Sequence, residues 1–189
     1  MQSLEKLEYN IKNCSFCSLR NTCKAPVICR GNKKNPRIMI VGEAPGGNED
    51  EQGKPFVGKA GKLLDKTLKE VNIPQSEIYI TNIVKCRPPK NRDPEINEVL
   101  ACSQHLRGQI SHLRPSYIVP LGSFATRFLL RHDKRQNLPM SELHGKKFKH
   151  NNYCILPMYH PAATFYDQSK LQDFQKDFKK LKRLIDKES

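Results

Sequence analysis

The stretch RIMIVGEAPGGNEDEQGKPFVGKAG, residues 37–61, decides the fold class of this 189-residue chain. Its apolar run, residues 38–41, predicts a buried strand, and small residues follow at once: Gly42, Pro45, Gly46 and Gly47. A glycine-rich turn at the carboxyl end of a strand lets backbone approach a ligand, and open α/β sheets bind substrates at this edge. Glu43 and the single aromatic residue Phe56 belong to the same stretch. We therefore expect a ligand pocket at this strand end.

Outside this stretch, strands and helices are predicted to alternate along the chain. Four apolar runs predict strands, at residues 37–43, 79–85, 117–122 and 153–160. Helical periodicity predicts helices over 58–71, 94–113 and 123–130, with one more before the first cysteine and one at the C-terminus. Residues 131–152 are charged and lack this periodicity, which predicts a mobile connection. The alternation predicts right-handed crossovers and a parallel sheet covered by helices on both faces.

The charge of the chain favours a polyanionic partner. The 33 basic residues exceed the 19 acidic ones and give a formal charge of +14, which is typical of nucleic-acid-binding proteins. A merely soluble basic protein is the alternative. The hydrophobic fraction is 37%, no apolar run has the length of a membrane span, and the N-terminus lacks a signal-peptide pattern. We therefore expect a soluble cytoplasmic protein without a membrane partner.

Polar groups are predicted to converge where the strands end. Glu43, Asn82 and His160 close the first, second and fourth runs, and Gly122 closes the third. A single histidine or asparagine in such a place is usually a capping group, but several on one edge beside a glycine-rich turn favour a binding site.

The seven cysteines indicate a metal or cluster site, because nothing in the chain suggests secretion and a disulfide framework. Cys14 and Cys17 have the spacing of a metal-binding pair. The residues alone allow two alternative pairs of cysteines to complete the site. Cys23 and Cys29 would give a local zinc knuckle, whereas Cys86 and Cys102 would close the site from the main fold.

Four motifs occur in an order that resembles the family 4 uracil-DNA glycosylases: GEAPGGNEDEQGKPFVGKAGKLLD (42–65), YITNIVKCRPPKNRDP (79–94), VPLG (119–122) and HPAA (160–163). The resemblance runs from Cys14 to about Tyr166. It implies a three-layer α/β/α fold around a four-stranded parallel sheet, as one glycosylase domain over residues 1–189 with an N-terminal cluster-binding segment. It also implies a 4Fe–4S cluster whose ligands are these cysteines: Cys14, Cys17, Cys86 and Cys102.

The function implied by the resemblance is hydrolysis of the glycosidic bond of uracil flipped out of single- or double-stranded DNA. His160 is then similar to the residue that donates to a uracil carbonyl, and Asn82 to the residue that reads the base. Phe56 would stack on the flipped ring. Ala44 and Glu43 would line the water side, where Glu43 either activates water or is a structural carboxylate bonded to the turn backbone.

Further site residues follow from the same resemblance. Glu49 is similar to the residue that abuts C5 of the base, with a solvated acidic loop as the alternative. Asn91 is a candidate near the sugar or phosphate. The family usually has Leu-Leu after HPAA, and this chain has Thr164 and Phe165. Phe165 is therefore our candidate wedge into the DNA stack, with core packing as the alternative. Basic residues after the second strand are the candidate DNA contacts: Arg87, Lys90 and Arg92.

Three rival functions are considered. A relative of this family attaches covalently to DNA through a histidine in a KRRIH insertion, but the loop RPPKNRDP, residues 87–94, has no histidine. A non-enzymatic, metal-stabilised nucleic-acid-binding module would use the local zinc knuckle. A single-strand-binding protein would bind DNA without releasing a base. The expected protein is a monomeric enzyme of the nucleoid in a bacterium or archaeon.

Overall fold

The computed structural model describes residues 3–150 and 152–187. In those residues the strands are β1 Arg30–Gly31, β2 Ile38–Gly42, β3 Ile78–Asn82, β4 Tyr117–Pro120, β5 Phe148–His150 and β6 Tyr153–Ile155. The α-helices are α1 Leu4–Lys12, α2 Gly47–Gln52, α3 Lys59–Glu70, α4 Ile96–Leu113, α5 Ser123–Leu129, α6 Met140–Leu143 and α7 Gln168–Lys187. None of the helices in this part of the chain combines the length and the hydropathy needed to cross a bilayer.

The strands form one mixed sheet in the order β1-β3-β2-β4-β6-β5. The four inner strands run parallel, as the sequence predicts, whereas β1 and β5 run antiparallel to their neighbours at the two edges. The expected four-stranded parallel sheet is thus the centre of a six-stranded one. The two edge strands are too short, at two and three residues, to show a periodic pattern.

Helices cover both faces of the sheet, which confirms the three-layer α/β/α architecture. Alternate residues of a strand point to opposite faces. In β2, Ile38 and Ile40 pack in the core beneath α3 and α7, while Met39 and Val41 pack in the core beneath α1, α4 and α5. All four β2 side chains are fully buried. Such a strand is buried on both faces, which explains its continuous apolar run.

The crossover connections diverge to the two sides of β2 at its carboxyl end. From β2 the chain passes through α3 to β3, which lies on one side of β2. From β3 it passes through α4 to β4, which lies on the other side of β2. The two crossovers lie on opposite faces of the sheet. Open α/β sheets bind their ligands at such a point.

Two regions differ from the sequence predictions. The turn after β2 contains α2, whose residues are polar throughout and gave no periodic signal. The stretch 131–152, predicted to lack helices, contains α6 and β5. The mobility expected for it stays a prediction, and its residue 151 lies outside the described residues.

Candidate active site

Gly42 is the point at which the predicted pocket residues meet. It pairs with Asn82 in the register of β2 and β3, so the two strand ends lie side by side. A Cβ atom at position 42 would overlap Asn82 Oδ1 and would lie 2.8 Å from the ring of Phe56. Because glycine has no side chain, the Asn82 amide and the Phe56 ring can both pack against position 42.

The side chain of Asn82 is enclosed but free to bind a ligand. Asn82 is only 2% exposed. Among the described residues, none forms a hydrogen bond with its amide group. The amide atoms of Asn82 are not among the fully enclosed polar atoms that lack a partner in the described residues, so they are accessible from outside, as a binding site requires.

Phe56 is held in an unusual backbone conformation. Its φ angle of 56° lies in the left-handed region, which a bulky residue rarely adopts. Gly61 at the start of α3 allows it, because a Cβ atom there would overlap the Phe56 carbonyl. Arg30 of β1 donates to the carbonyls of Pro55 and Phe56 at 2.9 and 3.3 Å and pairs with Asp65 at 2.7 Å. A clamp from the sheet edge thus fixes the aromatic ring.

Glu49 organises the loop between β2 and α3. Its carboxylate accepts hydrogen bonds from the backbone N–H groups of Gly46, Val57 and Gly58, at 3.2, 2.9 and 2.9 Å. The alternative of a freely solvated acidic loop is therefore wrong for this residue. Contact with C5 of a base stays a prediction.

His160 lies across the pocket from Phe56. The two ring centroids are 5.8 Å apart with an interplanar angle of 37°. Nδ1 of His160 accepts from the Ala162 N–H at 3.2 Å, so the proton of the neutral imidazole is on Nε2. Burial lowers the pKa of His160, and the charge of Glu49 opposes this effect. The neutral ring is therefore a donor through Nε2 at neutral pH.

Glu43 is a half-buried carboxylate beside the glycine-rich turn. Burial, and then the negative charge of Asp93, raise its pKa. Its side chain accepts no hydrogen bond from the described residues, whereas its backbone carbonyl accepts from the Val84 N–H at 2.9 Å. The alternative of a carboxylate bonded to the turn backbone therefore has no support. Ala44 follows it and packs partly against the core.

The predicted DNA-contacting residues occupy different environments. Arg87 donates to Asn91 Oδ1 at 2.8 Å, and its guanidinium lies beside Gly47. Lys90 is exposed at the turn of this loop. Arg92 instead forms a two-bond ion pair with Glu98, at 2.7 and 2.8 Å. The positive charge of Arg92 is thus partly used within the protein.

Two exposed aromatic residues follow the HPAA motif. Pro161–Thr164 form a short 3-10 turn, which Thr164 closes by donating to the Pro161 carbonyl at 2.7 Å. Phe165 is 46% exposed and Tyr166 is 96% exposed. The alternative of core packing for Phe165 is therefore wrong, whereas its role as a wedge stays a prediction.

The four cysteines assigned by the resemblance line one small, mainly apolar cavity: Cys14, Cys17, Cys86 and Cys102. Cys14 and Cys17 follow α1, Cys86 follows β3, and Cys102 lies in α4. Burial raises the pKa of Cys102, while the charge of Lys85 and its backbone N–H oppose that rise. Four thiols from three parts of the chain are thus gathered in an apolar setting that suits an iron–sulfur cluster.

The remaining cysteines do not form the local knuckle. Cys23 contacts the thiol of Cys86, whereas Cys29 donates to Glu8 Oε1 at 3.4 Å. In the described part of the chain, no three His, Cys, Asp or Glu side chains are placed to hold a single metal ion. Cys154 lies in β6, within the run 153–160 that predicts a strand.

Two residues with clear roles in this architecture were not identified from the sequence. Lys85 is the basic residue that ends the predicted strand 79–85, yet it is only 1% exposed. His105 places Nε2 3.3 Å from Cys14 Sγ and stacks on Phe16. The helical spacing of Cys102 and His105, three residues apart, is the signal that could have indicated a shared face.

The comparison with known families agrees with this geometry. The family model described as the Uracil DNA glycosylase superfamily matches residues 29–183. The fold and the pocket are therefore those of a uracil-DNA glycosylase superfamily protein.

Individual relatives narrow this assignment. A type-4 uracil-DNA glycosylase of Sulfurisphaera tokodaii is 41% identical over 97% of this chain and 86% of its own length. Similar proteins of that description occur in Archaeoglobus fulgidus, at 39% identity over 99% of this chain and 96% of the relative, and in Thermotoga maritima, at 37% over 98% and 96%. The chain belongs to the type-4 uracil-DNA glycosylases.

Proposed function

We propose that this protein flips uracil out of DNA and hydrolyses its N-glycosidic bond, leaving an abasic site. The observation that carries the proposal is the meeting of three groups at the end of β2: the unbonded amide of Asn82, the ring of Phe56 and the Nε2 donor of His160. A base inside the duplex stack cannot reach such a pocket, so the nucleotide has to be extruded first.

Asn82 is the residue that reads the base. Its amide can accept from N3–H of uracil and donate to O4, and cytosine presents the opposite pattern at both positions. Phe56 provides a flat apolar surface for the pyrimidine ring. Because leaving a buried polar group unpaired costs about 1–3 kcal/mol, this amide supplies much of the discrimination against cytosine.

His160 stabilises the departing base. As the glycosidic bond breaks, negative charge develops on the uracil and positive charge on the sugar. Nε2–H of His160 donates to a uracil carbonyl oxygen, and the Ala162 N–H keeps the ring in the required tautomer. A donor that is fixed before the reaction requires no reorganisation when the charge appears.

Glu43 is the proposed group on the water side. Its carboxylate has no protein partner among the described residues and is therefore available to position or polarise the attacking water. Its negative charge also stabilises the cationic sugar. Ala44 lines the same side, and Asn91 is the candidate beside the sugar or phosphate.

The exposed basic loop and the aromatic turn are the proposed DNA contacts. Arg87 and Lys90 face phosphates, and Arg92 contributes less because Glu98 holds it. Phe165 enters the gap that the flipped base leaves. We expect the enzyme to act as a monomeric single domain in the cytoplasm, at the nucleoid, and its relatives come from archaea and bacteria.

The cysteine cavity is the proposed site of a 4Fe–4S cluster, held by Cys14, Cys17, Cys86 and Cys102. Each thiolate of such a cluster binds a different iron, so the four sulfurs need not converge on one point. When bound, the cluster supplies a structural cross-link. The chain's own residues around the cavity then hold the N-terminal segment against α4 and the residues that follow β3.

The test is release of free uracil from a uracil-containing oligonucleotide, followed by strand scission in alkali. The purified protein should release uracil, whereas both non-enzymatic rivals bind DNA and release nothing. His160→Ala should lower the single-turnover rate about 100- to 1,000-fold, since it removes a donor to developing charge. Asn82→Ala should lower it about 10- to 100-fold.

Matched controls are Asn97→Ala and His132→Ala, both at exposed positions. These should retain the wild-type rate. DNA affinity should remain largely intact in all four variants, because phosphate contacts provide most of it. Equal losses of binding and release in the Asn82 and His160 variants would contradict the assigned roles.

A further inference from the structure

Lys85 is a buried lysine in the middle of the functional region. It is three residues past Asn82 and directly before Cys86, and it is 1% exposed. Lysine is almost never fully buried unless it is paired, because removing an ammonium group from water is costly. The place of this side chain therefore requires compensating contacts.

The ammonium group of Lys85 has an acceptor for each of its three protons. It donates to the Asn82 carbonyl at 2.6 Å, to Thr81 Oγ1 at 2.7 Å and to Gln109 Oε1 at 2.8 Å. Hydrogen bonds from a charged donor are short and about twice as strong as neutral ones. The carbonyl that receives the shortest of these bonds belongs to the proposed base-reading residue.

The partners of Lys85 are themselves fixed. Gln109 of α4 donates to the Tyr79 hydroxyl at 2.8 Å, and Thr81 donates to the Ile28 carbonyl at 2.7 Å. The network therefore joins β3 to α4 and to the segment that follows the cysteine pair. It holds the ammonium group from three directions.

The backbone of Lys85 extends the same connection to the cysteine cavity. Its N–H donates to Cys102 Sγ at 3.2 Å, and its carbonyl accepts from the Val27 N–H at 2.7 Å. One residue thus contacts the wall of the cavity with its main chain and the end of β3 with its side chain.

We propose that Lys85 is a positioning residue for uracil recognition, whose ammonium group fixes the Asn82 carbonyl and thereby holds the Asn82 amide beside Phe56 and Gly42. This inference rests on the proposed role of Asn82. Asn82 is the last residue of β3: the N–H of the next residue, Ile83, still donates to the Gly42 carbonyl at 2.9 Å, while the Asn82 carbonyl accepts from the ammonium group of Lys85. A charged donor at its carbonyl fixes the peptide plane from which the side chain projects.

The test is a double-mutant cycle on single-turnover uracil release, with the cluster-loaded protein. Lys85→Met keeps the length of the side chain and removes the charge and the donors. Alone, it should lower the rate about 10-fold with unchanged affinity for DNA. In an Asn82→Ala background, it should cost less than about 2-fold more, because residues that act through one another are not additive.

A merely structural role for Lys85 gives a different pattern. The loss would then be the same factor in both backgrounds, and that result would overturn the inference. The visible absorption of the cluster per chain should be unchanged in Lys85→Met. Absorption that falls in proportion to the rate would also overturn it, since loss of the cluster would then account for the effect.

Two further variants keep the test decisive. Lys180→Met is the matched control, because Lys180 also donates to a backbone carbonyl, that of Gly145 at 2.6 Å, away from the pocket. It should leave the rate unchanged. If Lys85→Met does not fold, Gln109→Met removes one acceptor of the ammonium group and should lower the rate about 3-fold, again only when Asn82 is present.

The cycle also separates failure of the inference from failure of the proposed function. An Asn82→Ala variant with the wild-type rate would refute the role of Asn82 itself. An impaired Asn82→Ala variant together with fully active Lys85→Met and Gln109→Met variants would refute only the positioning role of Lys85.

Discussion

Glu43 and His160 are two titratable residues of one pocket whose pKa values move in opposite directions. Burial penalises the charged form of each, so it raises the pKa of the carboxyl group and lowers that of the imidazole. Burial thus favours the neutral imidazole of His160, and it moves the loss of the Glu43 carboxylate to a higher pH than that of an exposed glutamate. The ionised form of Glu43 places a negative group on the water side, and the neutral His160 places an uncharged donor on the base side.

The pH dependence of uracil release should report the ionisation of Glu43. As the pH falls through its raised pKa, the carboxylate is lost and the single-turnover rate should decline. Asp93→Asn removes one cause of the raised pKa, so it should move the acid limb of the rate profile to lower pH. Asp186→Asn, on an exposed residue of α7, is the control and should leave the limb in place. An acid limb that Asp93→Asn does not move would argue against Glu43 as the titrating group.

Glu49 should be a determinant of stability as well as of activity. Glu49→Gln replaces one carboxylate oxygen by an N–H group, which cannot accept from the backbone donors of the loop. We expect a loss of about 1–3 kcal/mol in the free energy of unfolding, measured by thermal or denaturant unfolding. Glu51→Gln on the same helix is the control, because Glu51 is exposed and its ion-pair partner among the described residues is Lys24. Unchanged stability of Glu49→Gln would show that these bonds contribute little.

At the scale of secondary-structure elements, helices and strands with a strong hydrophobic periodicity can be predicted from the sequence, and those without it are missed. The starts of the inner strands and the bounds of α3, α4 and α5 are predicted to within a few residues, and a C-terminal helix is predicted where α7 lies, because their buried faces recur regularly. The strand ends are predicted too late, since apolar residues continue into the turns that line the pocket. α2 and β1 are missed because short polar elements depend on tertiary contacts. These are the hydrogen bonds that Glu49 accepts from the loop backbone and the strand pairing of Arg30 with Ile80.

The residues that line the pocket could be predicted from the sequence, but the residues that hold them in place could not. Asn82 and His160 are identifiable because strand ends of a parallel sheet converge on one edge. The burial of Lys85 depends in part on Gln109, 24 positions away, and the clamp formed by Arg30 depends on Asp65, 35 positions away. No local pattern encodes such distances, so both lysine and arginine appear from sequence as ordinary basic residues.

The N-terminal segment should depend on the cysteine cavity for its attachment. α1 packs on α4, and Cys14 and Cys17 line the same cavity as Cys86 and Cys102. Cys86→Ser should therefore bleach the visible absorption of the protein and increase hydrogen exchange in residues 4–27, measured by mass spectrometry. The inner strands of the sheet should keep most of their protection, because their second core, beneath α3 and α7, does not include the segment.

Cys154→Ser is the matched control for this experiment, since Cys154 lies in β6 away from the cavity. It should change neither the colour nor the exchange pattern. A Cys86→Ser protein that keeps its absorption would show that the proposed ligand set is wrong.

At the scale of the whole molecule, the excess of positive charge predicts binding to DNA that weakens steeply with salt. Lys90→Ala should weaken binding to all sequences and reduce the slope of log affinity against log salt by about one. Arg92→Ala should change that slope less and lower thermal stability more, because it leaves the carboxylate of Glu98, 3% exposed, without its partner. Fluorescence anisotropy over a range of salt concentrations measures the first effect, and thermal unfolding the second. A larger change of slope for Arg92→Ala than for Lys90→Ala would reverse the assignment.

The two short antiparallel edge strands affect the tendency of the protein to aggregate at high concentration. Strands of two and three residues leave little unpaired backbone for another chain to extend. Unpaired backbone N–H groups along an edge strand template fibril growth, and this sheet has very few of them at either edge. We therefore expect concentrated solutions to stay clear and free of amyloid-type aggregates for as long as the native sheet persists.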